Sequence, residues 1–322
     1  MLFRDFGRTG IKVSQLGIGM WSLVTDWWGR PDKARDIIKA AIDLDINFFD
    51  TADMYGNGKA EEILGDSVKT KRDKVIILTK IGYDFYTSPE RPKQRYDIEY
   101  LNMAVKKSLK RLQTDYIDIL MLHNPKLKDI SNKDLLEFMK SLKSDGIARV
   151  IGVALGPTLG WENEGLKAIE VGYESLEHIF NIIELYPGMR LLKHNIGHVV
   201  RVPHASDVLN DSKWPLRYDP KLHRRFKTQV WIDKAVERTL DLRNFALSRG
   251  LKLNELALAF VWSFENVSTV VPNITTIEEL RESEKSTRVI LNEDDVEYII
   301  QYYEKNYKEL NEESIKETEI YK

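Results

Sequence analysis

Short apolar segments alternate with amphipathic helical segments along this chain, and several of the apolar segments end in an ionisable residue. The segment INFFD ends at Asp50, KVIILTK ends at Lys80, and YIDILMLH ends at His123. Apolar runs of this length between helices are typical of buried strands in a parallel sheet. Parallel-sheet proteins keep their functional groups at the carboxyl ends of the strands. The pattern therefore predicts an α/β fold with its site at that end of the sheet.

The order of these segments predicts eight strands after a short hairpin around Gly7 to Gly10. The predicted strands span 15–19, 46–50, 75–80, 116–122, 149–154, 178–183, 197–202 and 267–271. The predicted helices span 31–44, 59–69, 97–112, 132–143, 162–171, 231–248, 254–264 and 292–310. Two long connections, 81–96 and 206–230, have a length that is usually functional or disordered. We expect one domain over residues 1–322, a closed (β/α)₈ TIM barrel with a short N-terminal β-hairpin.

Four ionisable side chains stand at successive strand ends, because Tyr55 follows Asp50 by one loop, ahead of Lys80 and His123. A phenol with a pKa of ~10 is a weak acid near neutrality unless a cation stabilises its anion. Lys80 can supply that charge, and Asp50 can keep Lys80 ionised. His123 is suited to donating a hydrogen bond to a carbonyl oxygen. The set predicts proton donation to a polarised carbonyl group.

Each of these residues also has an ordinary explanation. Asp50 with Thr51 fits a helix cap, Tyr55 a loop aromatic, Lys80 a solvated strand end, and His123 a satisfied interior imidazole. Taken singly, each ordinary explanation is preferred. Their coincidence at consecutive strand ends favours the functional interpretation.

Composition argues against several other classes of protein. The chain has no cysteine, which excludes disulfides, thiol nucleophiles and cysteine metal sites. Its net charge of −2 indicates neither a nucleic acid nor a membrane surface as partner. No apolar segment approaches the ~20 residues of a membrane span, and no signal peptide is evident, so we expect a cytoplasmic protein. His194 and His198 lack a third ligand, which predicts surface histidines and no metal site.

The chain resembles the aldo-keto reductases over about residues 3–289. The resemblance rests on the motifs FFDTADMYG, ILTK, SLKRLQTDYIDILMLHNP, RVIGV and VSTVVP, which stand in the family's order. It implies a barrel that binds NADPH across its carboxyl face and reduces a small aldehyde or ketone, or oxidises the alcohol. It further implies that Tyr55 is the general acid, that Lys80 and Asp50 tune it, and that His123 orients the carbonyl.

The resemblance implies a set of cofactor-binding positions: Met20, Trp21, Asp50, Glu177, Arg201, Val202, Pro203, Asn273, Thr275, Glu279 and Ser283. Some positions depart from the family's pattern. Ala154 and Leu155 replace a Ser-Asn pair that holds the carboxamide, and Glu279 replaces an arginine that grips the 2′-phosphate. The family favours NADP(H) over NAD(H), but these departures leave NADH open. The basic loop at Arg224 and Arg225 is either a lid or a phosphate clamp.

Aromatic residues near the strand ends are expected to line the substrate site with Tyr55 and His123, namely Trp21, Tyr83, Phe85, Tyr86 and Trp214. Two other functions stay open. One is a nicotinamide-nucleotide-binding regulatory or redox-sensing barrel with little catalysis, as in the potassium-channel beta subunits of the same family. The other is a lyase that uses Lys80 as a Schiff-base amine, which is disfavoured because Asp50 would keep Lys80 protonated. The sequence does not predict the physiological substrate or the oligomeric state.

Overall fold

Eight parallel strands close into a barrel in the computed structural model, which describes residues 1–24, 31–220 and 222–318. The strands in chain order are β1 (Phe3–Asp5), β2 (Lys12–Ser14), β3 (Gly17–Gly19), β4 (Phe48–Asp50), β5 (Ile76–Ile81), β6 (Tyr83–Asp84), β7 (Lys93–Gln94), β8 (Ile117–His123), β9 (Ala148–Ala154), β10 (Ser175–Ile179), β11 (Gly197–Arg201) and β12 (Val267–Val271). The barrel sheet has the order β12-β11-β10-β9-β8-β5-β4-β3. A parallel bridge between Leu16 and Val270 joins its two edges. The prediction of a (β/α)₈ barrel is confirmed.

Helices follow the strands and cover the outside of the barrel. They are α1 (Trp21–Val24), α2 (Pro31–Asp43), α3 (Lys59–Val68), α4 (Ile98–Leu112), α5 (Leu127–Ile130), α6 (Lys133–Ser144), α7 (Glu162–Val171), α8 (Gly188–Leu191), α9 (Gln229–Ser248), α10 (Leu253–Trp262), α11 (Ile277–Ser286), α12 (Glu293–Asn306) and α13 (Lys308–Glu317). On α2 the buried residues Ala34, Ile37, Ile38 and Ala41 recur at helical spacing and form one apolar face. No helix among the described residues is long and apolar enough to cross a membrane.

The predicted N-terminal hairpin is present as β1 and β2, and it closes the amino-terminal end of the barrel. Phe6, Ile11 and Val13 are buried and join one apolar cluster with inward-facing strand residues such as Phe48. The contact is so close that a Cβ atom on Gly197 would lie 2.2 Å from the Phe6 ring. The hairpin therefore replaces solvent at this end and leaves only the carboxyl end of the barrel open.

Arg4, on β1, ties the beginning of the chain to the region before the last strand. Its guanidinium donates to the carbonyl oxygens of Trp262, Phe264 and Val267 at 2.6, 3.1 and 3.0 Å. These three carbonyl groups stand where α10 ends and β12 begins. One side chain thus fixes the hairpin to the edge at which the barrel closes.

The sixth barrel strand lies three residues earlier than predicted, at Ser175–Ile179. It carries the buried polar residues Glu177 and His178, which made it a poor match to an apolar strand. The apolar residues that follow are buried in a turn, because the Asn181 side chain accepts hydrogen bonds from the backbone of Ile183 and Glu184. The apolar composition of the segment after Ile179 therefore indicates burial, but it does not indicate pairing in a strand.

The C-terminal part of the chain also differs from its prediction. The single helix expected over 292–310 is two helices, α12 and α13, which meet at Tyr307. Tyr307 is fully buried, and its hydroxyl lies 2.8 Å from Thr239 Oγ1 on α9. The helix α11 was not predicted, because its sequence IEELRESEKS is short and mostly charged. Within the two long connections lie the β6–β7 pair and the 3₁₀ turns Asp211–Lys213 and His223–Phe226.

A pair of histidines is buried between β10 and β11. His178 Nε2 and His198 Nδ1 lie 3.1 Å apart, and His198 Nε2 donates to the His194 carbonyl oxygen at 2.9 Å. The prediction that His198 is a surface histidine is wrong, because strand alternation turns it toward the layer between barrel and helices. His194 is exposed, as predicted. Burial lowers the pKa of His178 to about 3 and that of His198 to about 4.

We expect this pair to destabilise the protein in acid. Both pKa values are lower in the folded chain than the ~6.5 of an unfolded histidine, so the unfolded state binds protons first. The stabilisation is complete above pH ~6.5 and is lost as pH falls toward 4. Urea unfolding from pH 7.5 to 4.5 should show a loss about 5 kcal/mol larger than in a His178→Gln, His198→Gln double variant. Parallel curves for the two proteins would contradict the assignment.

Candidate active site

Strand alternation brings five charged or titratable side chains to the open end of the barrel. Successive residues of a strand point to opposite faces, so every second residue faces inward. Asp50, Lys80, His123, Glu177 and Arg201 are the last or nearly the last inward residues of β4, β5, β8, β10 and β11. Because these strands are neighbours in one closed sheet, their ends form one site.

Lys80 is the centre of this site and is fully buried. Its ammonium group forms an ion pair with Asp50 and a second one with Glu177 Oε2 at 3.0 Å. It also donates to the Thr51 carbonyl oxygen at 3.0 Å and to the Tyr55 hydroxyl at 3.4 Å. The structure therefore brings the predicted Asp50, Tyr55 and Lys80 into contact. It adds Glu177, whose contact with Lys80 was not foreseen.

Two carboxylates around one ammonium set the protonation states. Burial alone would lower the pKa of Lys80, but Asp50 and Glu177 outweigh burial and raise this pKa. Burial and the nearby Glu177 raise the pKa of Asp50 to about 7, although Lys80 opposes the rise. Lys80 is thus firmly protonated, which argues against an amine nucleophile and so against the lyase alternative.

Tyr55 is held as a neutral phenol. Burial raises its pKa above the ordinary value, and the charge of Lys80 opposes this without overcoming it. Lys80 acts in the predicted direction, since its charge lowers the pKa of Tyr55, but desolvation outweighs this single favourable charge. A phenol that keeps its proton at neutral pH can still act as an acid, since Lys80 stabilises the anion formed when the proton leaves.

His123 stands beside Tyr55, with ring centroids 5.9 Å apart. Burial, together with the charges of Lys80 and Arg201, lowers the pKa of His123 well below its usual range. The ring is therefore neutral and can donate one hydrogen bond. Its Nδ1 atom is buried and has no hydrogen-bond partner in the part of the chain that the structure describes. The Tyr83 ring packs edge-on against His123 at 5.0 Å, and the Trp21 ring packs against Tyr55 at 5.1 Å.

A cleft of about 580 Å³ opens above these groups and continues over the ends of β11 and β12. This volume is within the usual range for small-molecule and cofactor sites. Among the residues predicted for the site, those that line the cleft are Trp21, Asp50, Tyr55, Tyr83, His123, Glu177, Arg201, Val202, Pro203 and Asn273. The residues that sequence analysis missed include Met54, Gln94, Asn124, Trp161, His204 and Phe226.

Several predicted residues lie outside the lining of the cleft. The prediction that Phe85 contacts substrate is wrong, because its ring is buried against Tyr86 with centroids 4.1 Å apart. Tyr86 instead accepts a hydrogen bond from Arg111. The Met20 side chain is fully buried in the apolar core. Trp214 donates to the Val208 carbonyl oxygen. The cleft lining also omits Thr275, Glu279 and Ser283.

The basic loop is tied down over the cleft. Arg224 Nη1 pairs with Asp207 at 2.6 Å, and its Nε donates to the Arg217 carbonyl oxygen at 3.0 Å. His223 Nδ1 lies 2.8 Å from Ser206 Oγ. The next basic residue, Lys227, is buried in an ion pair with Glu184. With Arg224 already paired to a carboxylate, this geometry favours a lid over a phosphate clamp.

Glu279 is also paired. Its Oε2 atom accepts hydrogen bonds from the backbone and the hydroxyl of Thr275, at 2.8 and 2.9 Å. Its Oε1 atom lies 2.7 Å from Lys213 Nζ. Lys213 and the hydrogen bonds at Thr275 offset burial and lower the pKa of Glu279. The carboxylate is therefore ionised but locally neutralised.

Comparison with known proteins decides the family. The model of the Aldo/keto reductase family matches residues 15–304. This chain belongs to that family. It is 30% identical over 286 residues to the uncharacterized oxidoreductase YqkF of Bacillus subtilis, covering 87% of this chain and 89% of the relative. It is 27% identical to a probable voltage-gated potassium channel subunit beta of Arabidopsis thaliana, covering 90% and 92%.

The aldo/keto reductase fold is also seen in solved structures. The holo form of an aldo-keto reductase from Bacillus halodurans is 29% identical to this chain and superposes with a TM-score of 0.78. The match covers 94% of this chain and 96% of that one. The family uses nicotinamide cofactors, so the cleft of this aldo/keto reductase is the place to test for such a ligand.

The cleft of this aldo/keto reductase fits a nicotinamide nucleotide in its polar groups. Besides His123 Nδ1, the buried side-chain atoms of the cleft that have no hydrogen-bond partner within the described residues include His204 Nε2, His223 Nε2 and Asn273 Oδ1. Buried polar atoms are rarely left unpaired without cost, so atoms of this kind in a cleft indicate a ligand. His204 and Asn273 follow the ends of β11 and β12, and His223 contacts Ser206 in the loop after β11.

Proposed function

We propose that this aldo/keto reductase reduces an aldehyde or ketone to an alcohol with a nicotinamide cofactor. One observation carries the proposal: the Tyr55 hydroxyl lies 3.4 Å from the Lys80 ammonium at the floor of a cofactor-sized cleft. A neutral phenol next to a permanent cation is a proton donor whose anion is stabilised where it forms. His123, which is neutral and adjacent to Tyr55, supplies a second hydrogen bond to the carbonyl oxygen that receives the proton.

In this mechanism the protein prepares the carbonyl group and delivers the proton. When bound in the cleft, a reduced nicotinamide would supply a hydride to the carbonyl carbon. Tyr55 donates its proton to the carbonyl oxygen, and His123 orients that oxygen through a hydrogen bond. Lys80 stabilises the Tyr55 anion, and Asp50 with Glu177 holds the ammonium in position. The product is an alcohol, and Tyr55 regains its proton from solvent.

NADP(H) is the cofactor that we propose over NAD(H). At the position of Glu279 an ionised carboxylate would by itself repel a 2′-phosphate. The ion pair with Lys213 at 2.7 Å supports NADP(H), because it removes the net negative charge at this point. The three unpaired cleft atoms in the segments after β11 and β12 would hold the nucleotide, while Trp21 and Met54 wall the substrate end.

Nucleotide titration and a carbonyl panel test the function. NADPH should quench tryptophan fluorescence, because Trp21 and Trp161 line the cleft, and should bind more tightly than NADH. Loss of NADPH absorbance should then follow the addition of aldehydes or ketones. Failure of both nucleotides to bind would refute the proposal, and stronger binding of NADH would refute the cofactor preference.

A regulatory or redox-sensing barrel is the second candidate. Two observations favour it: the similarity to a probable potassium channel subunit beta, and the apolar side chains of Ala154 and Leu155 in the cleft wall. These side chains cannot hydrogen-bond a carboxamide, which would weaken the alignment that catalysis needs. Nucleotide binding without turnover on any carbonyl of the panel would select this candidate.

A further inference from the structure

Arg201 is a charged group in the wall of the cleft that also holds Tyr55. Its side chain is 17% exposed, whereas those of Glu177 and Asp50 are 4% and 6% exposed. The two carboxylates also line the cleft, but they are less exposed and contact Lys80, so the guanidinium is the most exposed of these three charges. The positive charge of Arg201 also reaches the catalytic groups, since it helps to lower the pKa of His123 and opposes the rise of the pKa of Tyr55.

This guanidinium is fixed in place. Its Nη2 atom donates to the carbonyl oxygens of Leu155 and Gly156, at 3.1 and 2.5 Å. Its Nε atom lies 3.4 Å from Glu177 Oε1. Moving the side chain away would break two hydrogen bonds and separate a buried ion pair, which is costly. A ligand that binds beside Tyr55 must therefore tolerate the positive charge of Arg201 at this fixed position.

The chemistry of hydride transfer places a nicotinamide ring in this part of the cleft. The carbonyl oxygen is bound by Tyr55 and His123, and reacting atoms must approach to about 3–3.5 Å. The ring must consequently lie beside these two residues, within the field of Arg201. An oxidised nicotinamide ring carries a positive charge and a reduced ring carries none. A fixed cation repels only the oxidised form.

We propose that Arg201 makes the cleft select the reduced nicotinamide nucleotide over the oxidised one. The proposal rests on the proposed function, because it requires that a nicotinamide nucleotide binds. The overall equilibrium between carbonyl and alcohol is unchanged. In a mixed pool, however, the protein loads with reduced nucleotide and releases oxidised nucleotide readily. Arg201 is thereby a specificity-determining residue that favours operation as a reductase.

Equilibrium binding tests this without turnover. Dissociation constants of NADPH and NADP⁺, by fluorescence quenching and calorimetry, should differ by about tenfold in favour of NADPH, which corresponds to about 1.4 kcal/mol. The phosphates of the two nucleotides are the same, so the ratio isolates the ring. Equal affinities, or tighter binding of NADP⁺, would overturn the proposal. Binding of neither nucleotide would instead overturn the proposed function.

Two variants test whether Arg201 is the source of the preference for NADPH over NADP⁺. Arg201→Gln leaves the Glu177 carboxylate without this partner, so NADP⁺ should gain affinity and the tenfold preference should disappear or reverse. Arg201→Gln combined with Glu177→Gln removes one charge of each sign, and the two affinities should become about equal. Thermal unfolding shows whether each variant is folded. If the single variant is not folded, the double variant provides the test. A preference that persists in the double variant contradicts the role of Arg201.

Lys126→Gln is the matched control. Lys126 also lines the cleft and is exposed, on the segment after β8. Its removal takes away a cleft cation of the same sign, but it is absent from the charges that shift the pKa of His123. The preference for NADPH over NADP⁺ should be the same as in the wild type. A loss of preference here would assign the effect to the general charge of the cleft and would refute the specific role of Arg201.

Discussion

A Tyr55→Phe variant is expected to lose carbonyl reduction by about 10²- to 10⁴-fold. The phenyl ring keeps the packing against Trp21, but no proton can reach the carbonyl oxygen. Affinity for NADPH should be unchanged, because the Tyr55 hydroxyl is not among the unpaired cleft atoms that fit the nucleotide. The measurement is kcat with the best carbonyl of the panel, together with an NADPH titration.

Tyr173→Phe provides the control for removing a buried hydroxyl. The Tyr173 hydroxyl is buried and has no hydrogen-bond partner among the described residues, and it does not line the cleft. Its loss should leave kcat and the free energy of unfolding near the wild-type values. Turnover that survives in Tyr55→Phe would refute Tyr55 as the proton donor. Equal losses in both variants would point to general damage.

Replacing Lys80 with Met should cost about 3–5 kcal/mol of folding stability and abolish turnover. The change leaves the Asp50 and Glu177 carboxylates buried without the ammonium that each contacts. The remaining carboxylates gain protons more readily, so the folded-state pKa of Asp50 rises further above its unfolded value. The loss of stability should therefore be larger at pH 8 than at pH 6. Urea unfolding at both pH values measures it.

A double variant separates the effect of buried charge on stability from the effect of packing. Lys80→Met with Glu177→Gln removes one of the two stranded carboxylates and should recover part of the lost stability. Lys126→Met changes an exposed lysine of the cleft and should shift stability by no more than about 0.5 kcal/mol. A double variant as unstable as Lys80→Met alone would mean that buried charge is not the source of the loss.

The barrel could be read from the sequence because its strands are apolar runs that end in polar groups. β12 was predicted at its observed bounds, Val267–Val271, for this reason. β10 was misplaced because it holds Glu177 and His178, whose partners lie on β5 and β11 and are far away in the sequence. The local pattern cannot report a polar residue that is paired only after the barrel closes.

The candidate site likewise contains some contacts that the sequence predicted and others that it did not. Asp50, Tyr55 and Lys80 meet as expected, since their places follow from strand ends alone. The contact of Glu177 with Lys80 depends on closure across the barrel, from β10 to β5, and no sequence signal announces it. Phe85 was assigned to the cleft by its position in a loop, but the short β6–β7 pair shapes that loop, and its ring is buried.

The anchoring of Arg4 to carbonyl groups of Trp262, Phe264 and Val267 has a consequence for biosynthesis. The first strand of the chain has no lasting position until residues near the last barrel strand have left the ribosome. The hairpin therefore docks only after most of the chain has been translated, and its apolar residues need shielding from solvent until then. Contacts so distant along the chain make folding slow and expose intermediates to aggregation.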